Sequence, residues 1–377
     1  MSKAHVFGRA VAIFSSVAME LALLCACTAD VEKLWEFPIS SPIYSSPLSV
    51  GNLIVFGSES GTLYAVDKSG QARWQFQAPS AEIFARPQSD GKLIFFGATN
   101  QNFYALDIRG RLQWQFSAEE RIKSSPAVAD GVVYLTSYDG HVYALKAESG
   151  QKIWQFPTRP PSPVTGKAAA LPAAEALDPP PGEFSYSSPA IQNGVLYAGN
   201  MDGHLYAIGT LDGKLKWRFK TGAGVTSSPW VQDEWVYVGS KDDHLYALDS
   251  TTGNLKWKFK AGDDVLGSPV VKDGVLFVGA NDKNFYALDA HTGQEKCHFA
   301  TKGPVQSVGA FYENLIFFGG GQDDGALYAL RRTNCKPFFS FQTGYKIESD
   351  PTVDRDCIYV TSGDRKLYAL KVNKKPN

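Results

Sequence analysis

Three histidines, His141, His204 and His244, each stand two residues before a Tyr-Ala pair, and carboxylates gather at Asp242-Asp243, Asp282 and Asp323-Asp324. Imidazoles and carboxylates ligate metals and move protons, so chemistry would be sought here first. Their placement argues against it. The histidines occupy one slot of different sequence repeats, which separates them in space and keeps them from sharing a metal. The carboxylates fall where a turn between two strands needs Asp or Asn, so a structural turn is preferred to a calcium loop. Gly319-Gly320-Gly321 ends a strand with no helix behind it and is not a phosphate loop. The chain has no G-x-S-x-G elbow, C-x-x-C or C-x-x-C-H. Beyond the first 27 residues the cysteines are Cys297, Cys335 and Cys357. An odd number cannot build a full disulfide framework, and the fold is expected to stand on its core rather than on staples.

These residues are placed by a repeat. Tyr-Ala followed by an aliphatic residue begins at Tyr64, Tyr104, Tyr143, Tyr206, Tyr246, Tyr286, Tyr328 and Tyr368, with spacings of 40, 39, 63, 40, 40, 42 and 40 residues. Tryptophans follow 10 or 11 residues later at Trp74, Trp114, Trp154, Trp217 and Trp257, and Cys297 and Phe338 take the next two slots. Upstream of each tyrosine lies a Ser-Ser-Pro triplet or a degenerate copy of it, such as Ala85-Arg86-Pro87 or Ser349-Asp350-Pro351.

Each repeat reads as β-structure throughout. VVYLTS and HVYALK are short runs rich in β-branched and aromatic residues, bounded by Asp-Gly and Ser-Gly pairs that suit tight turns. Strands A to D follow as the triplet segment, VVYLTS, HVYALK and KIWQF. A four-stranded antiparallel sheet of this size cannot bury both faces alone. Eight of them arranged radially make an all-β, eight-bladed β-propeller, with Tyr, Ala and Leu of strand C packed between blades. After Tyr368 no tryptophan slot remains, whereas Trp35 stands in KLWEF near the start. Residues 33–37 are therefore expected to complete the last blade and close the ring by the N-terminal strand. Trp35, Trp74, Trp114, Trp154, Trp217 and Trp257 then form a structural rim.

The unit SSPAVADGVVYLTSYDGHVYALKAESGQKIWQF, residues 124–156, resembles the repeat of the pyrroloquinoline-quinone (PQQ)-type propellers. That family holds quinoprotein alcohol dehydrogenases and the BamB-type outer-membrane assembly lipoproteins, and the resemblance covers residues 33–377. It implies two functions. One is a dehydrogenase binding PQQ with calcium on the propeller axis, with an aspartate base and a stacking tryptophan. Such enzymes are longer and often carry an adjacent cysteine pair. The blades here are near minimal and no family catalytic residue maps onto a matching position. The other is a non-enzymatic scaffold in the bacterial cell envelope, with no cofactor, working with protein partners in an outer-membrane assembly complex. The organisation resembles the second more closely. With 37 basic and 38 acidic residues, and no basic run beyond Lys371, Lys374 and Lys375, nucleic acid is not an expected partner.

Residues 1–27 read as a signal peptide. Lys3 and Arg9 precede an apolar stretch ending in Leu24-Cys25-Ala26-Cys27, which resembles a lipobox. Lipidation of Cys27 would anchor the protein to a membrane facing the periplasm, with residues 28–32 as a tether. Plain cleavage after Ala29 is the other reading.

Function should lie where one blade departs from its copies. The second triplet position reads Ser46, Arg86, Ser125, Ser188, Ser228, Ser268, Val308 and Asp350 and is expected to line the central channel. Arg86 and Asp350 break the pattern with opposite charges. They make either a salt bridge across the closure seam or a polar ligand site at the channel mouth. The Pro- and Ala-rich stretch 157–183 is an inserted loop, either a linker or a docking arm. Trp230 and Trp235 share one blade and are expected to add core packing.

Overall fold

Short runs rich in β-branched and aromatic residues, buried on both faces in the two middle strands of a blade and alternating in the outer one, form strands of two to eight residues that pair only with their sequence neighbours, with one exception. The computed structural model describes residues 30–157 and 187–373. Among them are eight four-stranded antiparallel sheets and no helix. Blade 3 is typical, with strands Ala127–Ala129, Val132–Thr136, His141–Lys146 and Lys152–Pro157. The strands of blades 1, 2 and 4–7 span 48–77, 88–117, 190–220, 230–260, 270–300 and 310–342.

The exception is blade 8. Its strands Thr352–Asp354, Cys357–Ser362 and Lys366–Val372 are completed by Val31–Pro38, which pairs from Val31↔Val372 to Pro38↔Lys366. The first strand thus closes the ring, as expected, and covers the outer edge of Lys366–Val372.

The turns follow local chemistry. Asp130-Gly131, Asn193-Gly194 and Asp273-Gly274 have positive φ at both residues, the condition for a two-residue hairpin between strands A and B. Core side chains lie between blades: the cluster with Tyr237, Leu245 and Ala247 of blade 5 also holds Leu276, Val278 and Tyr286 of blade 6.

The rim follows one rule. Strand register places Trp74, Trp114, Trp154, Trp217, Trp257 and Trp35 opposite the alanine of their own Tyr-Ala pair. Each indole N–H donates to a carbonyl in the C–D turn of the next blade, at 2.8–3.1 Å: Lys68, Ile108, Ala147, Thr210, Ser250 and Ala290. Each ring lies on a glycine of that turn, Gly70, Gly110, Gly150, Gly213, Gly253 or Gly293. These glycines have φ between 65° and 86°, and a Cβ would meet the indole at 2.5–2.8 Å, so both conformation and space exclude a side chain.

Two slots depart from the sequence reading. Cys297 occupies the tryptophan slot of blade 6, opposite Ala287, and Cys335 stands where the next blade would have its glycine. The two form a disulfide, with Cα atoms 5.9 Å apart. The expectation that no staple supports the fold is corrected: one seam is covalent, because both members of the Trp–Gly pair were replaced together. Cys357 is free. In blade 7 the register puts Phe339, not Phe338, opposite Ala329. The next blade has no C–D turn, its outer strand coming from the chain start, so no glycine awaits a tryptophan there.

Candidate functional site

The Ser-Ser-Pro triplet fixes the inner wall of the ring. Its first serine ties the triplet to its own strand B or to the neighbouring blade: Ser124, Ser227, Ser307 and Ser349 donate to Thr136, Gly239, Gly319 and Thr361 carbonyls, and Ser45 to Ala85. Its second position makes a relay around the axis. The backbone N–H of each blade donates to the side-chain oxygen of the next: Arg86 to Ser125, Ser125 to Ser188, Ser188 to Ser228 and Ser228 to Ser268, at 2.8–3.0 Å. Val308 donates to Asp350 Oδ1 and Asp350 to Ser46 Oγ, both at 2.8 Å. Asp350 therefore substitutes for a serine as acceptor. The relay skips the steps from Ser46 to Arg86 and from Ser268 to Val308, because neither receiving side chain carries an acceptor.

All eight relay positions line a cavity of about 580 Å³ that continues to the face bearing the B–C and D–A loops. Arg86 and Asp350 both face it, but they do not bond to one another. Arg86 reaches Thr352 Oγ1 at 3.2 Å, and its Nε is buried without a partner. Burial lowers the Arg86 pKa from its ordinary value, opposed by the nearby Asp350 charge. Burial also pushes the Asp350 carboxyl up, against the pull of the Val308 N–H, Arg86 and Ser46. Of the two readings of this pair, the salt bridge across the seam is not formed: Arg86 and Asp350 are electrostatic neighbours, with Asp350 bound into the relay.

Above the relay, Tyr44 and Phe84 stack with centroids 6.3 Å apart. Lys346 lies 4.9 Å from the Tyr44 ring and Lys123 4.7 Å from Phe84. Lys346 also pairs with Glu348 at 2.7 Å. Sequence reasoning missed this crown, although a signal for Tyr44, Phe84 and Lys123 was available: the position before each triplet is aromatic or charged only in some repeats.

The three histidines and Asp242, Asp282 and Asp324 have structural partners. His141, His204 and His244 each contact the aspartate of their own turn, Asp139, Asp202 and Asp242, at 3.2–3.5 Å. Tyrosines of the Tyr-Ala pairs donate to the same kind of aspartate: Tyr143 to Asp139, Tyr246 to Asp242, Tyr286 to Asp282, Tyr328 to Asp324 and Tyr368 to Asp364. Several of these carboxylates also accept an N–H from the preceding blade's D–A segment, as Asp242 does from Gly222 and Asp282 from Gly262. Burial pushes the Asp139, Asp202 and Asp242 carboxyls up, but the hydrogen bonds they receive outweigh it and hold all three below the usual value. A lowered folded-state pKa contributes stability that is present above the unfolded pKa of about 3.9 and lost as pH falls through the folded value. The melting temperature is therefore expected to drop steeply below about pH 4. Asp242→Asn should show a shallower acid limb in a pH series of thermal melts.

Among the described residues, Asp243, Asp263 and Asp264 alone bring three potential ligand atoms within 4.8 Å of one another, and they do not line the cavity. The cavity carboxylates are Glu59, Glu348 and Asp350, of which Glu348 is paired and Asp350 belongs to the relay. These residues do not fit PQQ with calcium, which needs carboxylates converging beside a free aromatic face. Trp230 and Trp235 are half-buried, as expected for packing; Lys256 lies 4.1 Å from the Trp235 ring. Cys27 and positions 158–183 of the insert lie outside the described residues.

The family model described as outer membrane protein assembly factor BamB matches residues 13–87, 80–217, 180–264 and 201–311. BamB of Xanthomonas campestris pv. campestris is 28% identical over 99 residues, 26% of this chain and 21% of that protein. A 1-butanol dehydrogenase (cytochrome c) of Thauera butanivorans is 29% identical over 100 residues, 26% of this chain and 13% of the enzyme. The chain thus matches about a fifth or less of the length of these curated relatives. The crystal structure of BamB from Moraxella catarrhalis superposes with a TM-score of 0.72 at 16% identity, covering 90% of this chain and 99% of that one, a likeness of fold. With its repeats matched through blades 1 to 6, the chain belongs to the outer membrane protein assembly factor BamB family.

Proposed function

We propose that this propeller is a non-enzymatic protein-binding scaffold of the bacterial cell envelope, contributing to outer-membrane protein assembly. The observation that carries this reading is the use of the conspicuous polar groups as architecture. The serines form the relay, and the tyrosines, histidines and turn aspartates brace the loops. What varies between blades is the loop face, with its aromatic and cationic crown, and loops on a rigid frame are where partners bind. In this reading Cys27 is lipidated and holds the propeller to a membrane facing the periplasm. The Cys297–Cys335 disulfide agrees with an oxidising compartment.

A second reading, a PQQ-binding dehydrogenase-like quinoprotein, draws on the similarity to the butanol dehydrogenase, which is within one residue and one per cent of that to BamB in length and identity. One experiment separates them: affinity purification from solubilised membranes with an absorbance spectrum of the pure protein. Envelope assembly proteins without a quinone chromophore are the expected result. A stoichiometric quinone band would overturn the scaffold.

A further inference from the structure

The serine relay leaves donors without acceptors, and they face one cavity. Ser46, Ser125, Ser188, Ser228 and Ser268 each accept a backbone N–H from the neighbouring blade. A hydroxyl has one hydrogen to donate; Ser46 gives its own to the Asp350 carboxylate, whereas Ser125, Ser188, Ser228 and Ser268 give theirs to no described protein acceptor. Thr226, which lines the same cavity, has a buried Oγ1 without a partner. Arg86 adds a guanidinium whose Nε is buried and unpartnered and whose one side-chain bond is to Thr352. A guanidinium held away from bulk water without a bonded carboxylate is costly, and the carboxylate whose charge reaches it, Asp350, makes no ion pair with it and already accepts the Val308 N–H. Hydroxyl donors and a guanidinium on the inner wall of the ring, opening at the channel mouth, are a receptor for an anion. Just outside, the stacked Tyr44–Phe84 pair with Lys123 and Lys346 over its rings offers apolar area beside positive charge.

We propose that the channel mouth is an anion site that takes a carboxylate side chain from an acidic, extended segment of a partner protein, seated on Arg86 within the serine ring. The identification of the partner as protein rests on the scaffold reading above; the anion site rests on the geometry alone. A planar guanidinium grips a carboxylate through two parallel hydrogen bonds, and the rings outside receive the apolar side chains beside it. Arg86 is then the one relay position where architecture was exchanged for recognition, and the broken Ser46-to-Arg86 step is the cost of that exchange.

The variant Arg86→Ser restores the repeat consensus and supplies Ser46 with the missing acceptor, so it is expected to fold with an equal or higher melting temperature. Two capped hexapeptides serve as probes, one alternating glutamate with serine and phenylalanine, the other with every glutamate changed to glutamine. The wild-type protein is expected to bind the glutamate peptide at least about tenfold more tightly in calorimetry, and Arg86→Ser to lose that preference. Crystals soaked in bromide should show an anomalous peak beside Arg86 that disappears in the variant. Arg86→Gln gives the same comparison should the serine variant fail to fold. Equal binding of both peptides, or a preference kept without Arg86, overturns the proposal. Bromide on Arg86 with no preference between peptides marks an inorganic-anion site and overturns the acidic-segment assignment. Membrane capture keeps the two readings apart. Envelope partners recovered equally by wild type and Arg86→Ser refute the docking role but leave the scaffold standing. An Arg86-dependent peptide preference with no envelope partner supports the site and refutes the scaffold.

Discussion

Replacing Cys297 with tryptophan and Cys335 with glycine is expected to yield a folded propeller whose melting temperature no longer responds to reductant. The pair would recreate the arrangement of the other seams, an indole lying on a positive-φ glycine and donating to its turn. Cys335 already has a φ of 54°, so the backbone needs no rearrangement to accept glycine. The contrast is Cys297→Ser with Cys335→Ser, which removes the covalent link and supplies neither ring nor glycine. A crosslink spanning 38 residues constrains the unfolded chain by about 4 kcal/mol in the loop-entropy account. The serine pair should therefore lose about that much in denaturant titration, and the tryptophan–glycine pair should recover most of it. If both pairs melt alike, the equivalence of the disulfide and the Trp–Gly contact is wrong.

Deleting residues 31–38 should have a larger effect still. Val31–Pro38 is the only outer strand of blade 8, and without it strand Lys366–Val372 presents an open edge in the closing sheet. The seam to blade 1 would also lose Trp35, which donates to Lys68 and lies on Gly70. Trp35→Ala alone should cost about 3 kcal/mol. The full deletion adds Phe37 and a seven-pair strand register, a loss comparable with the roughly 5–15 kcal/mol that holds a typical domain folded. The expected observation is loss of the cooperative thermal transition, with association through the exposed edge in size-exclusion chromatography. A melting curve unchanged by the deletion would sink the closure mechanism.

The candidate site was only half legible beforehand. Arg86 and Asp350 stood out because a repeat supplies its own control: six other copies show what the position holds when it only builds. Their relation did not, because opposite charges at homologous positions suggest a salt bridge, whereas Asp350 had become a relay acceptor. The disulfide carried a signal that was missed. Cysteine replaces tryptophan in one repeat and glycine in the next, and counting cysteines hid what aligning them would have revealed. Phe339 was displaced by one residue because the C–D turn varies in length, and only strand pairing decides which phenylalanine faces Ala329.

By itself the sequence determined the blade count, the order of four strands within each blade and the need for the first strand to complete the last sheet. The strand order depends on residue type, turn residues and spacing within about one repeat of chain, and the count and the closure on aligning the repeats, the last of which lacks the tryptophan slot that Trp35 fills. The tertiary structure decided which donors around the axis lack acceptors, which seam is covalent, and that Arg86 faces the cavity without an ion pair. Each of these is a relation between neighbouring blades, where a residue's partner is set by ring geometry and not by the residues beside it in the chain.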